Sequence, residues 1–370
     1  MPRTRSRCRR ACVLAPLFVA VLGLTAQAVA QPAAWGPMSP SMEDVPYPHP
    51  VSYLSFTMYG QDVRMAYMDV APIGESNGQT VALLHGGNFF AEYWKGTIEF
   101  LRREGFRVLA TDRIGYGRSS KPIVPYTLHD MALHIKMLLD ELNISRAAIV
   151  GHSMGGMVAS RFAFAYPDRT SRVVMENQVG LTDARLERPW RDPDEQYRAS
   201  LNRSYESIRR GIERYFVTWS DDYEYFIKLH YGWTLSGDWP QYAAVRARIS
   251  EMFYADPVVY DWPHIKAKTL VIGGAEDTPD YPAQAQHVAD TIPNAELYLI
   301  DHAGHIPHLE APEEFHREVV RCLKAEYATV QGVQGCLVAR LRLGLGGRIQ
   351  FNGLRRTDWS TICLLDRRSE

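Results

Sequence analysis

Ile149-Val150-Gly151-His152-Ser153-Met154-Gly155-Gly156 is the stretch on which the fold turns. An apolar run from Ala147 to Val150 leads into a Gly-x-Ser-x-Gly pentapeptide, and a helical pattern continues from Met154 to Ala165. The pattern is strand, sharp turn and helix, with the serine at the apex. So tight a turn holds its central residue in strained backbone geometry, so the residues two before and two after must be small. Gly151 and Gly155 meet that need, and Gly156 lets the helix lie close to the sheet. The Ser153 hydroxyl then stands at a helix N-terminus, where free N–H groups and partial positive charge favour a developing anion. The pentapeptide alone also fits a glycine-rich turn with an incidental serine, so the rest of the chain has to decide.

Working outward, short apolar runs recur at 81–84, 107–110, 147–150, 173–175, 269–272 and 297–300. Helical patterns stand where crossovers are needed, at 93–104, 128–142, 154–165, 282–291 and 312–326. Strands that are apolar on both faces belong to a mostly parallel sheet flanked by helices, an α/β fold. Ahead of them, two alternating runs between Ser52 and Val70 flank Gly60-Gln61-Asp62 and predict a hairpin at the sheet edge. The spacing breaks between Leu181 and Trp262, a stretch without a clear strand. It is crowded with aromatics, among them Trp190, Tyr205, Tyr215, Phe226, Trp233 and Trp239. We read it as a helical cap over the sheet's C-terminal edge, where α/β folds bind ligands. Its aromatics are expected partly to pack the cap helices and partly to line an apolar pocket.

The ends differ from this body. Arg3, Arg5, Arg7, Arg9 and Arg10 precede an apolar segment from Ala11 to Leu24, and Ala28-Val29-Ala30 supplies small residues for cleavage. That is a secretory signal pattern, processed after Ala30, and it implies a secreted or periplasmic protein. The apolar run is short for a membrane span, so no stable span is expected in the mature chain. An uncleaved anchor and a twin-arginine export route are the alternatives. Cleavage removes Cys8 and Cys12 and leaves Cys322, Cys336 and Cys363, too few for a disulfide framework. The chain thus divides into a signal peptide (1–30), a proline-rich leader (31–50), a first core segment (51–181), the cap (182–262), a second core segment (263–328) and a basic C-terminal extension (329–370), read as poorly ordered. A formal net charge of −1 gives no reason to expect a nucleic-acid partner; a small molecule is the expected one.

Serine is a weak nucleophile at neutral pH and needs a base, which in turn needs a group to orient it and balance its charge. Thr269-Leu270-Val271-Ile272-Gly273-Gly274-Ala275-Glu276-Asp277 puts carboxylates just past one apolar run. Leu297-Tyr298-Leu299-Ile300-Asp301-His302-Ala303-Gly304-His305 puts histidines just past the next. Glu276 and Glu176 compete with Asp277 for the acid. His85, His302 and His308 invite a metal reading, but they lack helical metal-ligand spacing, and a hydrolytic metal is redundant beside an activated serine. Neither metal nor cofactor is expected. Asp112 is expected to hold the loop that follows it, and His152 and His85 to shape theirs.

Four segments carry a further resemblance: His85-Gly86-Gly87-Asn88, Asp112-Arg113-Ile114-Gly115-Tyr116-Gly117-Arg118-Ser119, Gly151–Gly156 and Gly304-His305-Ile306-Pro307-His308-Leu309-Glu310. From about 51 to 327 the chain resembles the α/β-hydrolase superfamily, specifically its capped serine hydrolases. The resemblance implies Ser153 as nucleophile, Asp277 as acid, His305 as base, and an oxyanion hole from the N–H groups of Met154 and Gly87. Relatives that attack with aspartate at this elbow, haloalkane dehalogenases and epoxide hydrolases, are disfavoured by Ser153. The expectation is an exported serine hydrolase of a small, largely apolar ester. Its alternatives are a carbon–carbon bond hydrolase of the same fold and a ligand-binding, receptor-like member with negligible turnover.

Overall fold

Eight strands are present in the computed structural model, which describes residues 35–325. They are β1 (Val51–Met58), β2 (Gln61–Val70), β3 (Thr80–Leu84), β4 (Arg107–Thr111), β5 (Ala147–His152), β6 (Thr170–Glu176), β7 (Lys268–Gly274) and β8 (Ala295–Ile300). Every apolar run picked out in the sequence lies within one of them. They form one sheet in the order β1-β2-β4-β3-β5-β6-β7-β8. β1, β2 and β4 pair antiparallel, and the other neighbours pair parallel. The expected signal peptide at 1–30, the leader's start at 31–34 and the tail from 326 onward lie outside the described residues, as do Cys336 and Cys363.

Helices α1 (Lys95–Arg103), α2 (Leu128–Glu141) and α3 (Met154–Ala165) follow β3, β4 and β5. Five cap helices come between β6 and β7: α4 (Ala184–Glu187), α5 (Pro193–Leu201), α6 (Tyr205–Glu213), α7 (Glu224–Thr234) and α8 (Trp239–Ala255). Then α9 (Tyr281–Thr291) joins β7 to β8, and α10 (Pro307–Glu310) and α11 (Pro312–Lys324) close the described chain. The two-residue period of the strands sorts the core into two layers. Ala82, Leu84, Ile149 and Val173 pack with α2, α3 and α9, while Val81, Leu83, Ala148 and Val150 pack with α1 and α11. Both layers are apolar, which is why the central strands show unbroken apolar runs instead of alternation.

The hairpin turn is one residue earlier than its glycine and aspartate signals imply: Met58 pairs with Gln61, so Tyr59 and Gly60 make the turn. Both have positive φ, 49° and 73°, as a two-residue turn matched to strand twist requires. A bulky tyrosine is unusual there, and its hydroxyl is tethered to Asp130 of α2 at 2.9 Å. The described part of the leader has no helix or strand, yet it packs: Met42 and Val45 are buried, and the Tyr47 hydroxyl donates to Asp112 at 2.7 Å. Helix α3, buried along nearly its whole length, is tied to the chain returning from the cap by Arg161, which bonds Asp261 at 2.6 Å and Asp256 at 2.7 Å.

Candidate active site

Parallel strands share one C-terminal edge, and three loops there carry Ser153, Asp277 and His305. Ser153 directly follows β5 with φ 55° and ψ −118°, a strained conformation for a residue with a side chain. The surroundings impose it. A side chain at Gly151 would collide with the carbonyl of Gly155, and one at Gly155 with the carbonyls of Leu84 and His85. The Ser153 N–H is held by the Glu176 carbonyl at 2.8 Å.

Asp277 follows β7 and His305 follows β8, and the structure brings both to Ser153. The His305 Nδ1–H donates to Asp277 Oδ2 at 2.8 Å, and His305 Nε2 lies 3.0 Å from Ser153 Oγ. With Nδ1 protonated, Nε2 presents a free lone pair toward the Ser153 hydroxyl. Asn177, at the end of β6 with φ 38°, donates from Nδ2 to the same Asp277 oxygen at 2.9 Å and accepts from the Gly274 N–H at 3.0 Å. It fixes the carboxylate independently of the histidine; no signal in the sequence marks it.

The rival acids are engaged elsewhere. Glu276 points outward to the exposed His302, 3.1 Å away. Glu176 is fully buried and accepts from the N–H and Nδ1 of His308, at 3.0 and 2.8 Å. Asp112 accepts from the N–H groups of Ala91 and Arg118, so it does hold the loop expected of it. Among the described residues no group of three or more histidine, cysteine, aspartate or glutamate side chains is placed to hold a metal ion.

Met154 opens α3, so its N–H has no acceptor within the helix. Gly87 lies against the Met154 side chain, and both line the cavity with Ser153. The loop bearing Gly87 is anchored through His152. The Gly86 N–H donates to the Tyr93 hydroxyl at 2.9 Å, which donates to His152 Nδ1 at 2.9 Å. His152 Nε2–H then donates to the His305 carbonyl at 2.8 Å. The other loops are joined by Asn88, whose Nδ2 donates to the Tyr215 hydroxyl and whose carbonyl accepts from His230. Tyr215 stacks on the His305 ring at 4.8 Å.

Burial pushes the pKa values of His85, His152 and His230 well below the usual histidine value, helped by Arg113 beside His85, by neighbouring histidines around His152, and by Arg203 and Arg246 near His230. Unfolded, each would bind a proton below about pH 6.5 that the folded chain refuses. Their stability contribution is therefore full above that range and is lost as pH falls toward the depressed values. The urea midpoint is expected to decline steadily between about pH 7 and pH 5; a flat midpoint would contradict neutral burial.

The cavity over Ser153 encloses about 730 Å³. Its lining takes few of the cap's aromatics, most of which pack instead between helices. Of the cap aromatics singled out in the sequence only Tyr215 reaches it, while Phe216, Trp233 and Trp239 pack in the core. Phe89, Ile249 and Phe253 supply apolar wall, and Arg188, Arg214 and Arg246 supply charge. Which side each cap aromatic faces depends on how the cap helices pack.

A sequence profile described as the alpha/beta hydrolase family matches residues 81–318. The chain belongs to that family. This α/β-hydrolase is 34% identical to a solved structure of a probable hydrolytic enzyme from Pseudomonas aeruginosa, with a TM-score of 0.76, over 79% of this chain and 100% of that one. It is 27% identical to 3-oxoadipate enol-lactonase 2 of Acinetobacter baylyi, over 74% of this chain and 98% of the relative. It is 28% identical to 2-hydroxy-6-oxo-6-(2'-aminophenyl)hexa-2,4-dienoic acid hydrolase of Metapseudomonas resinovorans, over 64% and 81%. The α/β-hydrolase thus has both an enol-lactonase and a dienoic acid hydrolase among its relatives.

Proposed function

We propose that this α/β-hydrolase is a serine hydrolase that cleaves a small ester or lactone through an acyl-enzyme. The observation that carries the proposal is the run of hydrogen bonds from Asp277 through His305 to Ser153 at the floor of the cavity. Ser153 Oγ attacks the carbonyl carbon as His305 Nε2 takes its proton, and Asp277 balances the imidazolium. The Met154 and Gly87 N–H groups receive the oxyanion, each contributing about 3 kcal/mol to barrier lowering. Collapse expels the alcohol oxygen, which takes the proton from His305. Water, deprotonated by the same nitrogen, then releases the acid and restores Ser153. Phe89, Ile249 and Phe253 are suited to an apolar substrate body.

A fluorophosphonate probe is expected to label Ser153, and a panel of p-nitrophenyl esters, lactones, amides and vinylogous diketones should show turnover of the first two. Folded protein that neither labels nor turns over any ester would overturn the proposal. The second reading, carbon–carbon hydrolysis, is favoured by the dienoic acid hydrolase relative, and preferential turnover of the diketones would select it.

We also propose export, from the arginine-rich start, apolar segment and Ala28-Val29-Ala30 site. Protein recovered from the periplasm or medium is expected to begin at Gln31 by N-terminal sequencing; an intact start in the cytosol would refute export.

A further inference from the structure

Both ring nitrogens of His305 are engaged, Nδ1 with Asp277 and Nε2 with Ser153 Oγ. Those two contacts run across the ring and leave it free to rock about the line that joins them. A contact on the ring face stops that motion, and the cap supplies one. Tyr215, just past α6, lies over the imidazole with ring centroids 4.8 Å apart and planes inclined by 23°. The His305 N–H also donates to the Tyr215 carbonyl at 2.8 Å. A side chain at Gly304 would collide with that carbonyl, so the glycine before His305 lets the two segments close up. One carboxylate clamps both: Glu310 accepts from the Val217 N–H and from the Gly304 N–H, each at 2.7 Å. The Tyr215 hydroxyl accepts from Asn88 Nδ2 at 2.6 Å, which fixes the far end of the ring.

We infer that Tyr215 is a positioning residue that acts through His305, its ring face favouring the imidazolium formed during attack over the neutral imidazole. The inference rests on the serine hydrolase reading for the role of His305 as base. The face of an aromatic ring carries negative quadrupole charge and attracts a cation within about 6 Å of its centroid. Neutral imidazole gains dispersion alone from the same contact. The stack is therefore stronger in the transition state than in the ground state, and such an interaction raises kcat while leaving KM nearly unchanged. The other titratable groups that face His305 are Asp277 after β7, His152 of β5 with its ring 5.0 Å away, and Glu310 of α10 behind Gly304. Burial keeps His152 neutral, so it adds no opposing charge. Arg214 also lies over the Tyr215 ring, 5.5 Å from its centroid, but it is exposed and screened by water. Asp277 thus balances the imidazolium at its edge and Tyr215 at its face.

The test compares full-length Tyr215→Leu and Tyr215→Phe proteins with the unsubstituted chain. On p-nitrophenyl acetate, Tyr215→Leu is expected to lower kcat about ten-fold while KM changes less than about two-fold. Tyr215→Phe keeps the ring face and loses the bond to Asn88, so it should retain at least about a third of kcat. NMR of histidine-labelled protein reads His305 directly, and its titration midpoint should fall by about half a pH unit in Tyr215→Leu but not in Tyr215→Phe. Incorporating 3,4,5-trifluorophenylalanine at position 215 keeps the shape of phenylalanine and drains the face of negative charge. It should lower both the midpoint and kcat relative to Tyr215→Phe, and it keeps the test decisive where the leucine variant does not fold. Thermal melting verifies the fold of each variant. A His305 midpoint that is unmoved or raised by fluorination, or equal kcat in the two phenylalanine proteins, overturns the inference. Fluorophosphonate labelling of the unsubstituted enzyme separates the two claims. Labelling with an unmoved midpoint sinks the role of Tyr215 alone, and a lowered midpoint without labelling sinks the hydrolase reading alone.

Discussion

Replacing Ser153 with alanine is expected to lower kcat on p-nitrophenyl acetate about 10⁶-fold. The substitution removes one oxygen from a residue whose backbone is already fixed by Gly151, Gly155 and the Glu176 carbonyl. Neither the loop nor the cavity has reason to rearrange, so binding of intact ester should persist while covalent chemistry stops. The oxyanion donors and the bound geometry remain, and they leave a residual rate above that in water. A loss of only a few-fold would mean that another group attacks the carbonyl. A loss of ester binding as large as the loss of rate would mean that the hydroxyl mainly holds the ground state.

The second large effect concerns the acid. Asp277→Ala is expected to cost about 10⁴ in kcat. His305 Nδ1–H loses its acceptor, the imidazolium formed during attack loses its counter-charge, and Asn177 Nδ2 is left without its partner. Glu276 cannot compensate from its outward position beside His302. Glu176 is nearer the nucleophile in sequence topology, but its carboxylate is bound to His308. Glu176→Gln should therefore reduce the rate far less than Asp277→Ala. The reverse order of effects would make Glu176 the acid.

These residues were legible in the sequence because each depends on a local pattern. Ser153 is marked by glycines that sterics demand, and Asp277 and His305 by their place just after runs too apolar to be anything but buried strands. The order of strands along the sheet then brings separate loops to one edge without further instruction. What escaped depends on directions that tertiary packing sets. Tyr93 lies in an ordinary helical pattern, and nothing beside it signals a hydroxyl between Gly86 and His152. Asn177 follows a strand like any polar residue. The hairpin turn shows the same limit on a small scale: Gly60 signals the turn, but its partner there is Tyr59, held by a distant aspartate.

His152 has only two ring nitrogens, and both are committed, one to the Tyr93 hydroxyl and one to the His305 carbonyl. The loops bearing Gly87 and His305 therefore cannot drift apart without breaking a buried hydrogen bond. Conformational entropy is lost once, when the chain folds, and not again at each encounter with substrate.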